Sequence, residues 1–250
     1  MRTDLTSIIE LYDAQGFVLI PDAISDIPEF ESLVDANVEC VYEKDETTLR
    51  SIYGFQDNEY FNEWLKRNPL IKTLTTKLLP NGVYLHQTKV NIKNQSDSSI
   101  WPFHRDYPFW KVFDHFSSNQ FINLVVYLDD VTVDSGALEV IPGSHEEFLP
   151  REESDGNTDY SLEGSASSDL LFSFNQEEIE YFTSKYGLVK TLGKKGSILL
   201  FNPNLIHGSG SSAADFSRKI MILTFNSTDN QPDSPSPRPN FLCNTNFTPI

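Results

Sequence analysis

The sequence predicts a mainly β fold with flanking helices, a jelly roll of the double-stranded β-helix kind, and three features carry that prediction. The chain of 250 residues opens on helical patterns. From Val83 onward it changes to short runs rich in Val, Ile, Leu, Phe and Tyr, divided by Gly, Pro, Asn and Asp. Six or more such strands after a helical start suit a sandwich whose one sheet is covered by helices. There is no repeat, linker or compositional break within the strand region, so residues 1–250 are expected to form one domain, a length that can bury a sizeable core.

The elements follow in order. Residues 5–12 place apolar side chains at helical spacing, Gly16 ends that helix, and Phe17-Val18-Leu19-Ile20 reads as a buried strand closed by Pro21. Ser25-Asp26-Ile27-Pro28 offers an N-cap and an early proline for a helix running toward Lys44, and residues 58–79 carry a second helical pattern. Strands are expected over 83–92, 121–128, 137–141, 188–192, 197–201 and 219–226. The polar tract 146–169 is expected to be a flap or a surface loop, and the tail 231–239, with its four prolines, to be extended.

Composition excludes several classes. Hydrophobic residues at 39%, charged residues at 22% and a mean hydropathy of -0.34 describe a soluble globule rather than a disordered, collagen-like or coiled-coil chain. No apolar stretch approaches the roughly 18 residues of a spanning helix. Nineteen Lys and Arg against thirty-six Asp and Glu give a net charge of -17, which repels phosphate backbones and anionic lipid heads and argues against nucleic-acid and membrane partners. The start, Met1-Arg2-Thr3-Asp4, has none of the marks of a cleavable signal, so a cytoplasmic location is expected. Cys40 and Cys243 read as two free thiols.

Two of the five histidines stand in informative settings. In an extended segment residues i and i+2 share a face, so His104-Arg105-Asp106 presents an imidazole beside a carboxylate. His207 follows the apolar run 198–201 and the turn Asn202-Pro203-Asn204. If neighbouring strands bring them together, two His and one Asp make a face that suits Fe(II) and leaves open positions opposite. Strand alternation puts Arg218 on the face of Ile220, Ile222 and Thr224. Facing inward, it must meet an anion; at the strand end on the surface, it would pair with an Asp. A second polar face holds Gln87, Lys89, Asn91 and Lys93, with Tyr84, His86, Thr88, Val90 and Ile92 opposite, and it can face solvent or line a polar pocket. Asn123, in the apolar run 121–126, needs a hydrogen-bond partner. His145, His86 and His115 read as structural or surface histidines, and the aromatics between Phe103 and Phe116 as core and pocket wall together.

Trp101-Pro102-Phe103-His104-Arg105-Asp106, the block Ser135-Gly136-Ala137-Leu138-Glu139-Val140-Ile141-Pro142-Gly143-Ser144-His145, then His207-Gly208-Ser209 and Arg218, resemble the phytanoyl-CoA dioxygenase family of iron(II)/2-oxoglutarate oxygenases, and within it the ectoine hydroxylase branch. The resemblance runs from about Gly16 to Arg238-Pro239-Asn240-Phe241. It implies a double-stranded β-helix with the metal in its mouth, iron(II) as cofactor, and 2-oxoglutarate and O2 as cosubstrates. It implies that His104, Asp106 and His207 bind the iron. Arg218 is then the partner of the distal carboxylate of 2-oxoglutarate, with Ser209, Asn91 and Asn123 adding hydrogen bonds and Trp101 an aromatic contact.

Gln87, Trp110 and Arg238 fall where the branch lines its substrate pocket. Arg238, held between prolines, is expected to take a substrate carboxylate, with Lys89 as a further candidate for recognition. Where the branch has a polar Asn and an aromatic after its arginine, this chain has Ile220 and Ile222, which speaks against ectoine itself. The expected activity is hydroxylation of an unactivated C–H bond in a small molecule, an amino acid or amino-acid-like zwitterion. The alternatives are an oxygenase tailoring a secondary metabolite, a zinc hydrolase built on the same three ligands, and a non-catalytic jelly-roll binding protein.

Overall fold

Each of the six apolar runs expected to be a strand forms one, with ends shifted by at most two residues from expectation. A computed structural model of the chain describes residues 4–43, 45–149, 170 and 172–250. Their elements are α1 (Leu5–Gln15), β1 (Phe17–Ile20), α2 (Phe30–Leu33), β2 (Glu39–Tyr42), β3 (Leu49–Tyr53), α3 (Glu59–Arg67), α4 (Pro69–Leu78), β4 (Val83–Lys93), β5 (Trp101–His104), α5 (Tyr107–Phe113), β6 (Phe121–Tyr127), β7 (Leu138–Val140), α6 (Gln176–Tyr186), β8 (Val189–Lys190), β9 (Ile198–Phe201), β10 (His207–Ser209) and β11 (Arg218–Ser227).

The strands make a seven-stranded sheet in the order β1-β9-β6-β11-β4-β3-β2 and a four-stranded sheet in the order β5-β10-β7-β8, with antiparallel pairing throughout. Alternation divides the large sheet cleanly. Its outer face, including Val90, Ile92, Leu124, Val126, Leu200 and Leu223, packs under Ile8 and Tyr12 of α1, Phe61 and Trp64 of α3, and Ile71 and Leu74 of α4. Its inner face sends Val125, Tyr127, Leu199, Phe201, Ile220 and Ile222 against Ala137 and Val140 beside and in the small sheet. Two antiparallel sheets face to face, with helices on one outer surface, are the jelly roll the sequence predicts.

One irregularity matters for the site. Thr224 pairs with Gln87 and Phe225 with Leu85, so His86 is an extra residue on β4. Such a bulge shifts the strand by one residue and exchanges its faces. Tyr84 and His86 therefore point inward, where the His86 ring meets Trp110, Phe116 and Phe121 at 5.5, 5.4 and 5.1 Å. Beyond the bulge Gln87, Lys89, Asn91 and Lys93 take over the inward face. Uninterrupted alternation placed Tyr84 and His86 with Thr88 and Val90; the bulge corrects that.

The helix ended by Gly16 and the strand 17–20 form as expected, and the departure lies between β1 and α3. Among the described residues of the helix expected to reach Lys44 only 30–33 are helical, and β2 and β3 form a hairpin instead. The polar connection prefers turn chemistry: the Asp35 carboxylate accepts from the Asn37 amide at 2.8 Å, and Asp45 accepts from the amides of Thr47 and Thr48. The pattern over 58–79 is two helices, because Pro69 has no amide to continue α3 while Asn68 turns its side chain onto the Trp64 carbonyl at 2.8 Å. Helices α5 and α6 were not expected. α6 starts on a reciprocal capping box between Asn175 and Glu178, a signal present in the sequence. The flap-or-loop expectation for 146–169 falls, over 150–169, outside the described residues. No helix among the described residues is long and apolar enough to cross a membrane.

Candidate active site

The three expected metal ligands arrive from two adjacent strands and the turn that follows one of them. β10 pairs antiparallel with β5, and His207 lies directly opposite His104. The approach is close: a Cβ on Gly208 would sit 2.8 Å from the Trp101 carbonyl oxygen, which is why a glycine follows the histidine. The imidazole centroids are 4.3 Å apart. Asp106 leaves the strand and starts α5, its amide held by the Pro203 carbonyl at 2.9 Å. Its Oδ1 lies 3.4 Å from His104 Nε2 and its Oδ2 3.7 Å from His207 Nε2. One donor atom from each residue falls within 4.8 Å of the others.

The protonation pattern is set by neighbours. His104 Nδ1 is 2.7 Å from the Pro102 carbonyl and His207 Nδ1 is 2.9 Å from the Leu205 carbonyl. A carbonyl can only accept, so both Nδ1 atoms carry a hydrogen and both Nε2 atoms are turned toward the Asp106 carboxylate. Burial and the neighbouring His104 pull His207 down to about 4, which keeps it neutral and able to ligate. Burial alone would raise the Asp106 carboxyl, but the imidazoles of His207 and His104 hold it well below the usual carboxylate range. Asn123 donates from Nδ2 to Asp106 Oδ2 at 2.6 Å and accepts from the Thr224 hydroxyl at 2.7 Å. Its amide is thus engaged by the Asp106 carboxylate, a different partner from the cosubstrate the resemblance implies.

A second group lies further along the inner face. Arg218, 2% exposed, stands opposite Lys93 in the register of β11 and β4, and both line the same pocket as the triad. Arg218 donates from Nε to the Ser135 carbonyl at 3.3 Å and from a terminal nitrogen to the Gly136 carbonyl. Among the described residues no carboxylate is within ion-pair distance of it. Burial pulls Arg218 down to about 10 and Lys93 down to about 8, the mark of cations short of counter-charge. Asn91 lines the pocket between them and the triad, with a buried Oδ1 that has no hydrogen-bond partner. Ser209 and Trp101 face the same space, and the Arg50 guanidinium stacks 3.9 Å from the Trp101 ring centroid. The sequence placed Lys93 on the right face without singling it out, because only the register with Arg218 pairs the two cations.

The pocket's other end is lined by Gln87, Lys89, Trp110, Leu242 and Arg238. Gln87 donates to the Leu242 carbonyl at 3.0 Å, tying the C-terminal strap to β4. Arg238 meets Asp114, Nε to Oδ1 at 2.8 Å and a terminal nitrogen to Oδ2, with the side chains 2% and 0% exposed. Its charge is matched by the protein itself. His145 packs where a Cβ on Gly16 would lie 2.5 Å from its Nδ1, and its Nε2 is 3.2 Å from the Asp13 carbonyl, in keeping with a structural role.

Comparison with known proteins gives the family and supports the fold. The family model for phytanoyl-CoA dioxygenase (PhyH) matches residues 12–220. An L-proline trans-4-hydroxylase of Streptomyces griseoviridis is 28% identical over 249 residues, covering 96% of this chain and 92% of the relative. An ectoine dioxygenase of Nocardia farcinica is also 28% identical, over 97% of this chain and 86% of its own length. The crystal structure of EctD from S. alaskensis with 2-oxoglutarate and 5-hydroxyectoine superposes with a TM-score of 0.75 at 24% identity, covering 94% of this chain and 82% of that one. With a model match that runs through both histidine strands as far as Ile220, the chain belongs to the phytanoyl-CoA dioxygenase family.

Proposed function

We propose that the protein is an iron(II)- and 2-oxoglutarate-dependent hydroxylase acting on a small amino acid or amino-acid-like zwitterion, in the cytoplasm and as one catalytic domain. The observation that carries the reading is the pairing, in one pocket, of a two-His, one-carboxylate face with a buried guanidinium lacking a carboxylate partner among the described residues. The donor set fits iron(II): two imidazoles whose Nδ1 hydrogen bonds turn Nε2 to the centre, and one hydrogen-bonded carboxylate. The pocket fits the cosubstrate too, since Arg218 presents a fork that matches a carboxylate, Lys93 adds a point charge, and Asn91 and Ser209 supply polar atoms beside them.

In this reading His104, Asp106 and His207 hold the metal and Asn123 fixes the Asp106 carboxylate. Arg218 and Lys93 hold the distal carboxylate of 2-oxoglutarate. Iron with 2-oxoglutarate and O2 supplies the oxidising power needed to place a hydroxyl on an unactivated carbon. The chain's own contribution is position and dryness: Trp101, Phe109, Trp110 and Phe201 wall the space around the triad. Ile220 and Ile222 are part of that wall, so the polar contacts of the ectoine branch are absent at those two places. The related proline hydroxylase and ectoine dioxygenases, named for amino-acid-like substrates, support the same substrate class.

Succinate release from 2-oxoglutarate, measured with iron(II) across an amino-acid panel, tests the activity. Arg218→Ala is expected to weaken 2-oxoglutarate binding by about 2–5 kcal/mol, because the pair it forms is desolvated; an unchanged affinity for 2-oxoglutarate would remove Arg218 from the site. Asn123→Ala is expected to weaken iron(II) binding by about 10–100-fold, the usual effect of losing the group that orients a ligand, and titration of iron(II) into the metal-free protein reads it directly.

A further inference from the structure

We propose that Lys89 holds the carboxylate of the organic substrate and so sets its chemical class; the inference rests on the hydroxylase reading above. Four cationic side chains line the pocket, Lys89, Lys93, Arg218 and Arg238, against Asp106 as the acidic one among the described lining residues. Arg238 is matched by Asp114. Arg218 and Lys93 stand together at one end, directly opposed across β11 and β4. Lys89 remains: it is half-buried, and among the described residues its ammonium makes no hydrogen bond or ion pair.

Distance separates Lys89 from the cosubstrate's far end. Four residues of strand put it roughly 13 Å along β4 from Lys93, whereas the two carboxyl carbons of 2-oxoglutarate are only about 5 Å apart. A cosubstrate whose distal carboxylate sits on Arg218 and Lys93 therefore cannot carry that same carboxylate to Lys89. Lys89 instead sits on the metal side, opposite Ile222 on one neighbouring strand and Tyr53 on the other, and within electrostatic reach of Asp106 and His207. An anion placed there brings the rest of its molecule beside the metal ligands. A substrate carboxylate fits this place, and its ammonium, with no uncommitted acid among the described lining residues, meets ring faces such as Trp110 and Tyr53. The chemistry selected is a carboxylate next to a cationic nitrogen, small enough to share the pocket with 2-oxoglutarate.

The test compares wild type, Lys89→Met and Lys89→Arg, each with iron(II), 2-oxoglutarate and a panel of free amino acids that includes L-proline and other ring-containing imino acids. The best substrate is then set against its primary amide, which has the same size and no anion. Wild type should favour the acid over the amide by at least about tenfold in kcat/KM, chiefly through KM, and Lys89→Arg should keep that preference. Lys89→Met should bring acid and amide to within about twofold of each other. Quenching of tryptophan fluorescence by the acid, measured with 2-oxoglutarate and without O2, should weaken in Lys89→Met by the same factor. A preference that survives in Lys89→Met overturns the assignment, as does a loss confined to 2-oxoglutarate affinity. So does a wild type that converts 2-oxoglutarate to succinate unaided but is stimulated by no carboxylic acid in the panel. If wild type released no succinate under any condition, the hydroxylase reading would itself fall.

Discussion

His207→Ala and Asp106→Ala should each abolish iron-dependent succinate release while leaving the two sheets assembled. Both side chains face the pocket, His207 from β10, which is paired on both sides, and Asp106 from the turn that opens α5. Removing one leaves two donors, and a two-point site holds iron(II) poorly against water and buffer. Removing Asp106 has a second effect. Its carboxylate is also the acceptor for the Asn123 amide at 2.6 Å, so without it that buried donor is left unpaired. The check is paired: turnover together with iron bound per protein chain, with circular dichroism to show that the fold persists. A triad variant with wild-type turnover would end the iron assignment.

The largest effect on stability is expected from Arg238→Ala. The guanidinium bonds twice to Asp114, Ser236 donates to the same carboxylate at 2.6 Å, and neither charged side chain is more than 2% exposed. Deleting one partner strands the other charge away from water, at a cost of about 3–5 kcal/mol. Urea unfolding should show that loss as a lower midpoint with little change in slope. Replacing both partners together, Asp114→Leu with Arg238→Met, should recover most of it, because an apolar pair leaves no uncompensated charge. If the single and the double variant lost equally, packing of the strap and not the ion pair would be what Arg238 supplies.

How far these features were legible in the sequence depends on whether they are local. His104 and Asp106 share a short extended segment, Arg218 opens a strand with clear alternation, and the apolar runs announce themselves, so the sheet and the candidate metal residues are legible in the chain itself. The Asp114–Arg238 pair joins residues 124 positions apart and carries no local signature. The proline-flanked Arg238 suggests a substrate contact in the chain, and its pairing with Asp114 shows only in the fold. The segment that forms β2 carries a weak helical pattern, and side-chain turns at Asp35 and Asp45 compete with it, so the hairpin forms where the pattern predicts a helix. Lys93 and Lys89 look alike in sequence; only strand register separates the lysine beside Arg218 from the lysine beside the metal ligands.

The extra residue at His86 carries a consequence for how this strand can change over time. On one side of it the inward residues are even-numbered and meet aromatic rings; on the other they are odd-numbered and meet the polar pocket. Point substitutions anywhere along β4 alter one contact at a time. Loss of a single codon between Leu85 and Gln87 would do something different, since it would restore regular pleating and force one half of the strand to turn its whole set of side chains outward. Either Tyr84 would leave the aromatic cluster, or Gln87, Lys89, Asn91 and Lys93 would leave the pocket together. This strand should therefore tolerate many replacements and almost no change of length, and a library of single-residue deletions scanned across 80–95 should show its sharpest loss of folded, 2-oxoglutarate-binding protein from Val83 to Lys93.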